Sequence, residues 1–157
     1  MRKILFRVIV LWGVVILVCG VAYAQQKLAT QKEAEANAKK AVAYYKSVGK
    51  EKAFAEFNKP NGQFSNLNKG LYISVYDLSG INVSSGANSA MIGKGFIDLQ
   101  DPDGVKIIRG LIDIAKTKGK GWLTYKWTNP ATKKIEKKTT YLELVDNNYM
   151  ICCGAYF

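Results

Sequence analysis

The segment Gly121-Trp122-Leu123-Thr124-Tyr125-Lys126-Trp127-Thr128-Asn129-Pro130 crowds three aromatics together, and the basic run Lys133-Lys134-Ile135-Glu136-Lys137-Lys138 follows after a polar turn. Rings beside a few cations suit a small organic anion: the rings give apolar contact at low entropy cost, and the cation orients the charge. Read as a strand, the segment turns Leu123, Tyr125 and Trp127 to one face and Trp122 to the other. In the same way Tyr72, Ser74 and Tyr76 alternate with Leu71, Ile73 and Val75, setting a polar-aromatic face against an apolar one. Three buried hydroxyl oxygens need partners, which a polar ligand or ordered water supplies. The lysine run reads as a solvated hairpin, but any member turned into the sheet is costly without an anion.

Other chemistry is excluded or weak. The chain has no histidine, so it holds no Ser-His or Cys-His couple, no H-E-x-x-H and no haem attachment. Asp101, Asp103 and Gly104 start like a calcium loop, but Ile112 stands where the twelfth-position Glu belongs, so helix capping is the expectation for both acids. There is no G-x-x-x-x-G-K-[ST] motif. No catalytic residue, metal or cofactor is expected, and the leading reading is a binding module rather than an enzyme.

The first two dozen residues read as an address. Arg2, Lys3 and Arg7 precede an apolar stretch, and Ala22-Tyr23-Ala24 fits signal peptidase cleavage after Ala24. The alternative is an uncleaved inner-membrane anchor formed by residues 4–24, since the stretch approaches the roughly 20 residues of a bilayer span. Cys19 follows the bulky Val18 and makes a poor lipobox. Cleavage leaves 133 of the 157 residues, enough for one domain, and takes three cations from a net charge of +11, leaving +8. The protein is expected in the periplasm or secreted, with residues 25–157 as a single domain. Nucleic acid is not an expected partner. Cys152 and Cys153 are neighbours whose side chains diverge on a strand, so buried thiols are expected rather than a disulfide.

These residues must be positioned by a small set of elements. Residues 28–48 lack Pro and Gly, and Ala34, Ala38, Ala41, Val42, Tyr45 and Val48 draw a helical apolar stripe. A shorter helix spans Lys50 to Phe57. Strands are expected from Leu71 to Asp77 and around Ile81 to Ser84, then a helix from Val105 to Lys118. Strands from Trp122 to Thr128, about Lys138 to Val145 and Tyr149 to Tyr156 follow, with Asn147-Asn148 as a hairpin turn. The order implies an α+β fold: a five-stranded antiparallel sheet with helices on its faces.

Leu71-Tyr72-Ile73-Ser74-Val75-Tyr76-Asp77-Leu78-Ser79-Gly80, Ile92-Gly93-Lys94 and Asp98-Leu99-Gln100-Asp101-Pro102-Asp103-Gly104 appear in that order. Gly119 through Trp127, Lys133-Lys134-Ile135, Tyr141 and Cys153-Gly154-Ala155-Tyr156 come after them. Together they resemble the single Cache domains of type 2, extracytoplasmic sensor domains with a PAS-like fold. The resemblance implies a small-molecule sensor, often for short carboxylates, with a pocket on the sheet face beneath the loop and helix between strands two and three. It implies that Trp122, Tyr125, Trp127, Lys138 and Tyr141 lie near that pocket, to which the alternation adds Tyr72, Ser74 and Tyr76. Ser84-Ser85-Gly86 stands where the family commonly has Ala-His-Pro, and Val105 where it often has Lys, so the implied pocket is less cationic. Phe157 follows the last strand directly, so output is expected through a partner such as a membrane receptor or histidine kinase. The alternative is a structural or interaction protein of the same fold, with a filled pocket, acting through its basic hairpin.

Overall fold

A computed structural model describes residues 27–157; the expected leader, its cleavage site and Cys19 lie outside them. Helix α1 (Gln31–Val48) begins with a reciprocal capping box. Thr30 Oγ1 accepts from the Glu33 N–H at 3.2 Å, and a Glu33 carboxylate oxygen accepts from the Thr30 N–H at 2.7 Å. The helix ends at Gly49, whose φ of 81° glycine adopts without strain. Helix α2 (Lys50–Phe57) follows at once. Ala34, Ala38 and Ala41 are fully buried, so short side chains bring α1 close to the sheet.

Five strands form one antiparallel sheet: β1 (Ile73–Asp77), β2 (Asn82–Ser85), β3 (Lys120–Thr128), β4 (Ile135–Val145) and β5 (Tyr149–Tyr156). Their spatial order is β2-β1-β5-β4-β3, and α3 (Ile107–Lys118) lies on the path from the β2 edge to the β3 edge. The α+β architecture read from the sequence is the one observed. Strand alternation divides the core into two layers. Ile73, Val75, Tyr141, Ile151 and Cys153 face α1 and α2, where Phe57 and Phe64 meet edge to face at 4.9 Å. Tyr76, Tyr125, Leu142, Met150 and Cys152 face Ile108, Leu111, Ile112 and Ala115 of α3. The two adjacent thiols are thus buried on opposite sides of the sheet and unbridged.

Three local readings need correction. The β4–β5 turn is centred on Asp146-Asn147, both at φ 50°, with the Asn148 N–H bonded to the Val145 carbonyl at 3.1 Å; the pair Asn147-Asn148 is one residue too late. Neither Asp101 nor Asp103 caps α3, whose N-cap position is Lys106 with no side-chain bond. Finally, β4 starts at Ile135, so Lys138 is an interior residue of the strand rather than its first.

Candidate ligand-binding site

The interior position of Lys138 decides its environment. On one side it pairs with Tyr125 of β3 and on the other with Tyr156 of β5, so three side chains stand abreast on the α3 face. Its side chain is 3% exposed, and Nζ lies 2.8 Å from Tyr72 Oη. The ammonium also sits 4.2 Å from the Tyr72 ring centroid and 5.1 Å from that of Tyr156, a cation–π arrangement. The opposing strand leaves room for the stem only because residue 154 is glycine: a Cβ there would collide with Lys138 Cε and stand 2.6 Å from Thr140 Oγ1.

The hydrogen bonds here run one way. An ammonium can only donate, so Lys138 donates to Tyr72. Tyr156 donates to the Thr128 carbonyl at 3.0 Å, which leaves Tyr72 to donate to Tyr156 across 3.2 Å. Burial works against the charged lysine, and the Tyr72 hydroxyl, as acceptor, together with the two ring faces works for it. Burial also raises the Tyr125 phenol, which hydrogen-bonds Thr140 at 2.9 Å. The Cys152 thiol is pushed up to about 12 by burial, against the pull of Lys138, and is inert as a nucleophile at neutral pH. Among the described residues no carboxylate pairs with Lys138. A desolvated cation without a counter-ion is costly, and an anion reaching it offsets that cost.

Above this floor is a cavity of 360 Å³. Tyr72, Ser74 and Tyr76 line it from β1 and its approach, Tyr125 and Trp127 from β3, and Ile107, Ile108 and Leu111 from α3. Asn88 and Met91 come from the loop after β2, and Pro130 and Lys133 from the β3–β4 hairpin. Among the described residues no Asp or Glu lines it. The arrangement can hold an anionic head on Lys138 and an apolar body against Trp127 and α3.

The roof is fastened by Asp101. Its Oδ1 accepts from the backbone N–H groups of Asp103 and Val105, both at 2.9 Å, and its Oδ2 accepts from the Lys126 N–H of β3 at 2.7 Å. The loop leading into α3 is therefore tied to the sheet's outer edge, where Lys126 Nζ also meets Asp103 at 2.8 Å. Burial pushes the Asp101 carboxyl up, but the N–H donors from Lys126, Val105 and Asp103 outweigh it and hold it below the ordinary aspartate range.

Six of the eight residues named from the sequence line the cavity: Tyr72, Ser74, Tyr76, Tyr125, Trp127 and Lys138. Trp122 and Tyr141 do not. They pair across β3 and β4, 5.3 Å apart, on the face covered by α1. Parity is the reason: Trp122 is an odd number of residues from Tyr125, as Tyr141 is from Lys138. The reading from the sequence missed Ser85, Asn88, Met91 and Lys133, and Tyr156 behind Lys138. Only Tyr156 left a usable signal, sharing the parity of Gly154 and Cys152 on the last strand.

Known proteins resemble this one in sequence and in structure. A family model described as Cache domain matches residues 61–157. The sensor histidine kinase MctS of Rhizobium johnstonii is 37% identical over 86 residues, which cover 54% of this chain and 18% of the kinase. The chain thus spans under a fifth of that relative's length. A solved Cache chemosensory domain, studied for its recognition of carboxylic acids, superimposes with a TM-score of 0.68 at 20% identity, over 80% of this chain and 91% of its own. A methyl-accepting chemotaxis protein from Vibrio parahaemolyticus gives 0.68 at 27% identity, over 80% and 86%. The family match covers more than half of the chain, including every strand and the helix that roofs the cavity, and the chain belongs to the Cache domain family.

Proposed function

We propose that residues 25–157 form an extracytoplasmic sensory domain that binds a small organic anion, most directly a short carboxylate, without chemical conversion. The observation that carries this reading is Lys138, a residue 3% exposed at the floor of a 360 Å³ cavity, with no carboxylate beside it among the described residues. An anionic ligand supplies the missing counter-charge, and the apolar wall of Trp127, Ile107 and Leu111 takes its carbon skeleton. Ser74 and Tyr76 offer hydroxyl groups to the remaining oxygens. The open cavity favours a ligand binder over an interaction protein with a filled pocket. Membership of the Cache family, whose domains are extracytoplasmic sensors, supports export and a role without catalysis. The kinase and chemoreceptor relatives support a partner of that kind, in chemotaxis or signal transduction.

A thermal-shift screen tests the proposal. A ligand that binds only the native state adds RT ln(1 + [L]/Kd), about 2.7 kcal/mol at a hundredfold excess over Kd. Short carboxylates should raise the melting temperature, and matched amines and neutral amides should not. A screen in which amines stabilise the protein and acids do not would overturn it.

A further inference from the structure

The cavity has a second cation, at its rim. Lys133 lines it from the β3–β4 hairpin, is exposed, and pairs with no carboxylate among the described residues. Its backbone is at φ 62°, a left-handed conformation that a residue with a Cβ adopts at some cost. That conformation is imposed by the turn, since the Lys133 N–H bonds the Asn129 carbonyl at 2.8 Å. Asn129 in turn is fully buried: its Nδ2 donates to Glu136 at 2.6 Å, and its Oδ1 accepts from the Ala131 N–H at 2.9 Å. The hairpin is therefore a rigid platform, and of its four lysines it commits Lys133 to the cavity mouth while Lys138 forms the floor.

The two cations line the same cavity as Trp127, Ile107 and Leu111, and among the described residues no acidic side chain joins the lining. Its 360 Å³ falls within the roughly 300–1,000 Å³ of sites for drug-sized ligands and exceeds what a short monocarboxylate fills. An amino-acid ligand would bring an ammonium with no carboxylate to receive it. We infer that the site selects ligands with two anionic groups separated by an uncharged carbon spacer, one on Lys138 and one on Lys133. This deepens the proposed function and rests on its first anion site at Lys138.

The test is calorimetric titration of the protein with the diacids succinate, glutarate, adipate and pimelate, each beside the monoacid of equal carbon number. The expected result is a diacid of one preferred length that binds about fivefold more tightly than its monoacid, as befits an exposed charge pair worth close to 1 kcal/mol. Lys133→Gln should abolish that preference and leave monoacid affinity within twofold, while Lys133→Arg keeps it. Raising the ionic strength should shrink the preference, because the rim pair is screened. If monoacids bind and no diacid is preferred, or Lys133→Gln weakens both series equally, the rim assignment fails and the Lys138 site stands. If neither series binds, both fail.

Discussion

Lys138 combines the groups that stabilise it with the one it lacks. The Tyr72 hydroxyl, two aromatic faces and the gap over Gly154 accommodate its stem and charge, but no carboxylate among the described residues neutralises it. A residue kept for ligand recognition at the expense of the fold should reveal itself when it is made apolar. Replacing a buried ion pair by well-packed apolar side chains is often neutral or stabilising by about 1–4 kcal/mol, and Lys138 is a single buried charge whose removal leaves no partner ion behind. Lys138→Met should therefore unfold at an equal or higher denaturant concentration than the wild type, while losing acid binding. A clear drop in unfolding midpoint would mean that the ammonium is a structural element and not a ligand group.

At the scale of elements, the roof of the cavity depends on one carboxylate. Asp101 receives two N–H groups from its own loop and one from β3, so its ionised form is the one the fold stabilises. Its folded pKa lies below the ordinary aspartate value of about 3.9. The contribution is thus complete above that value and is lost as pH falls through the lower folded one. Asp101→Asn turns an amide donor toward one of those N–H groups and removes the titration. Melts followed between neutral pH and about pH 3 should show a lower melting temperature at neutral pH and a shallower acid decline than the wild type. Glu33, Glu56 and Glu136, also held low by their hydrogen bonds, keep part of the decline in both proteins. An unchanged acid limb would remove Asp101 as the fastening. How far such features could be read from the sequence depends on their range. The two faces of β1 and β3 were legible because alternation is local, and it set Tyr125 and Trp127 apart from Trp122. The resemblance brought Trp122 and Tyr141 toward the pocket, and parity across β3 and β4 takes both away. The β4–β5 turn slipped by one residue because Asp and Asn both tolerate left-handed backbone. The Asp101 bond was illegible, since its third donor lies 25 residues later on a strand edge.

For the whole molecule, the sheet separates support from recognition. The α1 face is a closed apolar layer built on alanines, and the α3 face is left open around tyrosines and one lysine. The expected +8 of residues 25–157 adds a long-range attraction for anions, fading with salt, that raises their local concentration without choosing among them. Choice falls to the buried site. The most direct test is calorimetric titration of wild type, Lys138→Ala, Lys134→Ala and Trp122→Ala with short carboxylic acids, amines and neutral analogues. The account predicts that acids alone bind. A buried charge-assisted contact is worth roughly 1.5–3 kcal/mol, so Lys138→Ala should cost about ten- to a hundredfold in affinity. Lys134→Ala and Trp122→Ala, one on the hairpin surface and one on the opposite face, should change it by less than about threefold. If no acid binds the wild type, or if Lys134→Ala costs as much as Lys138→Ala, the cavity over Lys138 is not the ligand site.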